Sequence, residues 1–339
     1  MALSLFSGCG GDTLGLERAG IKVLAFSEIN NVFASSHLSN FPDSVHLPGD
    51  ITNVNFSQYK DKIDFLFAGF PCQGFSHAGK KNPKDPRNQL YKQFVRATRE
   101  TRPLYILGEN VKGLETMKES SDGRLILDSI KSDFEAIGYS TTHKVVEATV
   151  FGVPQKRKRI IIVGWDTSRV ANFPNDFWDK IKTPKSPPSL KSFITNSMEG
   201  AYRVTNPPNG FTRCALEIAD DAEPTGTPHP YVVLKTNEGL LSCSKRDSAI
   251  HSEIMDLDAP SKTIICTYGH QPRLLIGLRK QDGTSYVRVM TPDELKQIQG
   301  FPANYVLNGS LSHKITQIGN AAPPPMIEAV VRALLEIKT

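Results

Sequence analysis

The feature that most restricts this chain is the alternation, through its first half, of short apolar runs with stretches of helical periodicity. Ala2 to Phe6 is an apolar run ending in Ser7-Gly8-Cys9-Gly10-Gly11, and Thr13 to Ala19 carries a helical pattern. Lys22 to Ser27 reads as a second strand ending at Glu28, and Val32 to Asn40 as a second helix. Asp64 to Gly69 predicts a strand, Asn88 to Arg99 a helix, Leu104 to Gly108 a strand, Arg124 to Ile137 a helix and Ile160 to Gly164 a buried strand. Such alternation predicts an α/β fold with a doubly wound, mostly parallel sheet. Ligands of such sheets gather at the carboxyl ends of the strands.

The pattern changes near Asp166. From there to about Ser285 prolines are frequent (Pro184, Pro187, Pro188, Pro207, Pro208, Pro224, Pro228, Pro230) and long helical patterns are absent, which predicts a second, smaller domain of loops and short strands. Two helical stretches follow, Pro292 to Gln299 and Pro324 to Ile337, the last with a one-sided stripe at Met326, Ala329, Val330, Ala333 and Leu334. The expected division is residues 1–165 plus 318–339 as one domain and 166–317 as the other. At 339 residues the chain can hold such a pair.

Several classes are disfavoured. The five cysteines, Cys9, Cys72, Cys214, Cys243 and Cys266, are odd in number, scattered, and without metal-ligand spacing, which argues against a disulfide framework or a metal site. Neither a membrane span nor a signal peptide is legible. An intracellular setting is expected. The net charge of +5 fits a polyanionic partner but is shared by many enzymes.

Four constellations carry chemistry. Phe6-Ser7-Gly8-Cys9-Gly10-Gly11, between a strand and a helix, lets the backbone turn tightly and approach a ligand. Alone it is an ordinary tight turn, but Glu28 at the next strand end could hold ribose hydroxyls and Asp50 an adenine edge. The second, Gly69-Phe70-Pro71-Cys72-Gln73-Gly74-Phe75-Ser76, sets a cysteine at a strand end between proline and glycine. That placement suits a nucleophile better than a buried thiol. Glu109-Asn110-Val111 ends another strand, where a capping acid is the plain reading and a proton donor beside Cys72 the better one. In Gln155-Lys156-Arg157-Lys158-Arg159, alternate residues of an extended chain share a face, so Arg157 and Arg159 could reach one site. The plain reading there is a solvated basic run.

Together with Arg288-Val289-Met290-Thr291-Pro292, Gln299-Gly300-Phe301-Pro302 and Gln317-Ile318-Gly319-Asn320-Ala321, these segments resemble the cytosine-5 DNA methyltransferases, in that family's order, from Leu3 to about Leu335. The resemblance implies a Rossmann-like fold and methyl transfer from S-adenosylmethionine to carbon 5 of cytosine in double-stranded DNA. It also implies a covalent bond to Cys72 and a flipped base. Methyltransferases are a standing example of base flipping. It implies that Glu109 contacts ring nitrogen 3 and that Arg159, more than Arg157, holds the cytosine oxygen. The cofactor would lie among Phe6, Ser7, Gly8, Gly10, Gly11, Glu28, Asp50, Ile51, Pro71, Leu90, Asn320 and Ala321. Gln73, Ser76, Lys80, Lys81, Lys84 and Arg87 would meet DNA on a loop that closes over it.

The 166–285 region would then be a target-recognition domain, with Thr267-Tyr268-Gly269 shaping a base-reading loop. Phe70, Ser4 (where an acid is frequent) and Ala322 depart from the family pattern. A stand-alone monomeric enzyme of the bacterial or viral restriction-modification type is expected, cytoplasmic in a bacterium, with a separate cognate endonuclease as a possible companion. Transfer RNA methylation on the same scaffold, a catalytically silent DNA-binding partner, and amino-group methylation at Asn206-Pro207-Pro208-Asn209 are the rival readings.

Overall fold

The computed structural model describes residues 1–71, 89–118, 123–184, 186–205, 207, 211–229, 232–233, 242–243, 253–270 and 272–337. Cys72, Gln73, Ser76, Lys80, Lys81, Lys84 and Arg87 therefore lie outside the described residues.

The strands that the apolar runs predict are β1 (Ala2–Leu5), β2 (Val23–Ser27), β4 (Phe65–Ala68), β5 (Tyr105–Val111) and β8 (Lys158–Asp166). They join β3 (Val45–Leu47) and β6 (Tyr139–Glu147) in a seven-stranded sheet of order β3-β2-β1-β4-β5-β8-β6. β3, β2, β1, β4 and β5 run parallel to one another. β8 is antiparallel to both β5 and β6.

Side-chain alternation splits the core into two layers. Leu66, Ala68, Ile106, Ile160 and Ile162 face Phe94, Val95, Ile130 and Phe134 of helices α3 (Tyr91–Thr101) and α4 (Ile126–Glu135). Phe65, Phe67, Leu107, Ile161 and Val163 face Leu16 of α1 (Gly11–Arg18) and Ile327, Val330, Val331 and Leu334 of α9 (Pro324–Leu335). Strands buried on both faces read as continuous apolar runs, and this is why the sequence announces them. Each large aliphatic in these layers contributes roughly 1.5–3 kcal/mol by leaving water. α2 (Asn31–Asn40) starts where the Asn30 side chain accepts from the amides of Val32 and Phe33.

The proline-rich region forms short elements, as expected. Its five-stranded sheet has the order β10-β15-β16-β9, with β13 beside β15. These are β9 (Tyr202–Val204), β10 (Leu216–Glu217), β13 (Glu253–Ile254), β15 (Leu274–Arg279) and β16 (Ser285–Val289). β11 (Val232–Val233) pairs with β12 (Ser242–Cys243), and β14 (Ser261–Lys262) with β7 (Gln155–Lys156). The short helices α5 (Phe177–Lys180) and α6 (Phe211–Cys214) lie in the same stretch, and α7 (Pro292–Ile298) and α8 (Leu311–Asn320) follow it. A fully buried Arg288–Glu294 pair at 2.7 Å ties β16 to α7.

Within the 267–269 turn Tyr268 is 2% exposed, and its hydroxyl donates to the Leu274 carbonyl at 2.6 Å and accepts from the Met290 amide at 3.0 Å, while Thr267 is exposed. A buried phenol needs such partners, so Tyr268 ties the turn to the core.

Candidate active site

The carboxyl edge of the parallel strands carries the predicted residues. At the end of β1 the chain enters the glycine turn with Phe6 at φ 57, Gly8 at φ 56 and Gly10 at φ 90. Phe6 is strained there, since only glycine takes this region without a steric cost. Gly8 has nothing within 4 Å of where a Cβ would stand, which leaves a backbone cradle open to a ligand. Gly10 and Gly11 have no room for a side chain: a Cβ would meet Tyr305 Oη and the Phe41 ring at 3.0 Å in the first case and the Ala322 carbonyl at 2.5 Å in the second. The Ser7 side chain turns inward and is 5% exposed.

Glu28 stands at the end of β2 and spans the turn. Its oxygens accept from the Gly8 amide at 2.9 Å and the Asn30 amide at 2.8 Å, and burial raises its carboxyl above the usual range. Asp50 follows β3 and is exposed, caps the 51–53 turn through the Thr52 amide at 2.9 Å, and is lowered by those hydrogen bonds. The neighbouring Ile51 is buried, and its carbonyl accepts from Arg96 of α3 at 2.7 Å. Leu90 and Pro71 are half-buried at the mouth of the 72–88 segment.

β5 supplies Glu109, 7% exposed. β8 runs the other way, so its beginning lies at the carboxyl edge of β5 and pairs Arg159 with Val111. Arg159 Nε reaches Glu109 Oε1 at 2.8 Å. The contact is a short, buried ion pair at the ligand edge of the sheet. Asn110 Nδ2 donates to the Phe70 carbonyl at 2.9 Å and so binds β5 to the last turn before Cys72. That role had no signal in the sequence beyond the neighbouring glutamate.

Arg157 and Arg159 lie near each other, but their side chains do different things. Arg157 is 1% exposed and donates to the carbonyls of Ile264 at 3.1 Å, Gly319 at 2.9 Å and Ala321 at 3.1 Å. Gln155 completes the clamp, accepting from the Ile264 amide at 3.0 Å and donating to Gln299, which donates to Ala321. These bonds hold the segment with Asn320 and Ala321 against the glycine turn. Asn320 itself is exposed at the end of α8. Among the described residues no group of three or more His, Cys, Asp or Glu could hold a metal ion.

A mostly parallel sheet with an open glycine cradle, an acid across it and a Glu–Arg pair on strands β5 and β8 places the chain among the Rossmann-like methyltransferases. The chain belongs to the C-5 cytosine-specific DNA methylase family, whose pattern matches residues 1–336. It is 32% identical over 98% of its length to the Type II methyltransferase M.BsuFI of Bacillus subtilis, of which it spans 72%. It is 31% identical over 99% of its length to M1.HphI of Haemophilus parahaemolyticus, spanning 87% of that protein. Among solved structures it resembles a DNA modification methyltransferase encoded within a prophage of E. coli, with a TM-score of 0.69 and 25% identity over 99% of this chain and 98% of that one.

Proposed function

We propose that this enzyme methylates carbon 5 of cytosine within a specific double-stranded DNA sequence, as the modification half of a restriction-modification pair. The observation that carries the reading is the buried Glu109–Arg159 pair at the strand edge, with Asn110 binding the turn that leads into Cys72. A pyrimidine offers a ring nitrogen and an oxygen side by side, which a carboxyl and a guanidinium in contact can address together.

The cradle suits an adenosyl ligand. Phe6 offers a ring, Gly8 an approachable backbone, Glu28 a carboxylate for ribose hydroxyls and Asp50 an acceptor near the adenine, while Ser7, Gly10, Gly11, Ile51, Pro71, Leu90, Asn320 and Ala321 wall it. S-adenosylmethionine, when bound, supplies the methyl group on a positively charged sulfur.

The protein makes carbon 5 reactive. The Cys72 thiolate would bond to carbon 6 of the ring while Glu109 holds a proton on nitrogen 3, which turns the ring into an enamine with a nucleophilic carbon 5. That carbon would take up the methyl group as the donor's methyl–sulfur bond breaks. Loss of the carbon-5 proton and departure of the Cys72 sulfur restore the ring. One hard step is thereby split into easier ones. Carbon 6 is hidden in a duplex, so the base must leave the stack. Gln73, Ser76, Lys80, Lys81, Lys84 and Arg87 carry the DNA contacts in this reading. The enzyme acts as a monomer in the cytoplasm, with any cognate endonuclease a separate protein. Among the described residues no helix is long and apolar enough to cross a membrane.

Duplex DNA carrying 5-fluorocytosine should trap a stable adduct, because fluorine cannot leave as a proton does. The wild type is expected to form it through residue 72, and Cys72→Ser to form none. A linkage mapped by mass spectrometry to any other residue would overturn the mechanism.

A further inference from the structure

Beneath the glycine turn lies a buried polar chain that the mechanism above does not use. Asp12, in the first turn of α1, is 3% exposed. The Ser4 hydroxyl of β1 donates to its Oδ2, and the Ser7 hydroxyl lies 3.2 Å from Oδ1. Ser7 Oγ is also 3.0 Å from Nδ1 of His37, a fully buried ring of α2 stacked on Phe26 at 3.6 Å. A carboxylate only accepts, so both hydroxyls donate to it and Ser7 then accepts from Nδ1–H. His37 Nε2 is left bare, without a partner among the described residues.

A buried carboxylate without an ion-pair partner is a costly floor for a turn, even with two hydroxyls donating to it. Among the described residues Asp12 has no ion-pair partner, and an apolar side chain could fill the space with less desolvation. What the carboxylate does offer is direction. The turn above it holds Phe6, Gly8 and Gly10 at positive φ, and Gly10 sits so close to His37 that a Cβ would come within 3.1 Å of Nδ1.

We propose that Asp12 is a positioning residue which, through Ser7, holds the 6–11 turn in the shape that receives the adenosyl cofactor. This rests on the cofactor reading above. It predicts cofactor affinity that depends on the charge of Asp12, whose carboxyl is pushed up to about 6 by burial. The groups that face it from neighbouring elements are Cys9, pushed up to about 12 by burial, and Tyr305, raised well above its ordinary value by burial. His37 is pushed down to about 3 by burial, and Glu28 across the turn is raised by burial. His46, stacked on Phe26 at 4.9 Å, faces His37 and Glu28 in turn. Glu28 and His46 are common to wild type and to any Asp12 variant, so the comparison between the two isolates Asp12.

The test is calorimetric titration of S-adenosylhomocysteine from pH 5 to pH 8, with no DNA and no turnover. At pH 8 Asp12→Asn is expected to bind about tenfold more weakly than wild type, and the gap to close by pH 5, since a lone acid loses its charge about tenfold per pH unit below its pKa. Moving the carboxylate across its hydrogen bond, with Ser4→Asp and Asp12→Ser together, should restore affinity at pH 8. A merely structural role predicts the opposite signature, in which Asp12→Asn melts at a lower temperature yet binds with wild-type affinity. That result, or a gap independent of pH, overturns the proposal. If Asp12→Asn does not fold, Ser7→Ala severs the same link from the turn's side and carries the same comparison. Wild type that fails to bind S-adenosylhomocysteine at every pH overturns the cofactor reading, and this proposal with it.

Discussion

Glu109 and Arg159 show how much a single contact can specify. Each is nearly buried, with side chains 9% and 13% exposed, so the charge of one is what allows the other to stay out of water. Truncating Arg159 would strand a carboxylate, and its effects would mix folding with chemistry. Glu109→Gln is the cleaner probe because it keeps the shape and removes the proton-holding group. We expect kcat to fall about 10²- to 10⁴-fold, the range of a positioned acid or base, with S-adenosylhomocysteine affinity unchanged. Single-turnover methylation beside calorimetry checks it, and a fall confined to KM for cofactor would contradict it. Glu109 was legible because a strand end followed by Asn110-Val111 marks the ligand edge of a parallel sheet. Asp12 and His37 were not. A polar residue at the start of a helix and a histidine on one read as ordinary until the fold buries both beside Ser7.

At the scale of elements, the contact of α1 with α9 decides how closely the glycine turn is held. A Cβ on Gly15 would meet Ile327 Cβ and the Pro324 carbonyl, both at 2.7 Å. Gly15→Ala gains helix propensity worth about 1 kcal/mol, but overpacking against backbone costs about 1–3 kcal/mol, so the clash wins. The variant should melt a few degrees lower by circular dichroism, and a rise in melting temperature would show that α9 yields easily. The continuous apolar strands and the long helices were legible, since burial on two faces or on one stripe leaves a period in the sequence. β6 was not, because it pairs with β8 at the end of the sheet and mixes Thr141, Thr142, His143 and Lys144 among its residues. α8 hid for a related reason: its ten residues expose Leu311 and bury Gln317, which blurs the stripe. The reversed direction of β8, which brings Arg159 to Glu109, depends on long-range pairing that no local signal encodes.

For the whole molecule, His37 and Asp12 pull acid stability in opposite directions. His37 is held neutral, down at about 3 from 6.5, so its contribution is complete above 6.5 and is lost as pH falls toward 3, to a total of about 5 kcal/mol. Asp12, up at about 6 from 3.8, costs about 3 kcal/mol at neutral pH, a cost that fades between 6 and 3.8. Within that shared window the two offset each other, and the protein is expected to tolerate mild acid. His37→Phe keeps the stacked ring and removes the first effect. Its melting temperature relative to wild type should therefore climb by several degrees between pH 7 and pH 4.5 in scanning calorimetry. A constant difference would mean that the imidazole is not kept neutral by the fold.

The clamp that Arg157 makes on residues 264, 319 and 321 has a consequence for how the pocket holds together. The glycine turn and its closing wall are far apart in sequence, so neither lip alone makes a pocket. Severing the clamp is therefore expected to loosen the seat of the methyl donor without altering a residue on either lip.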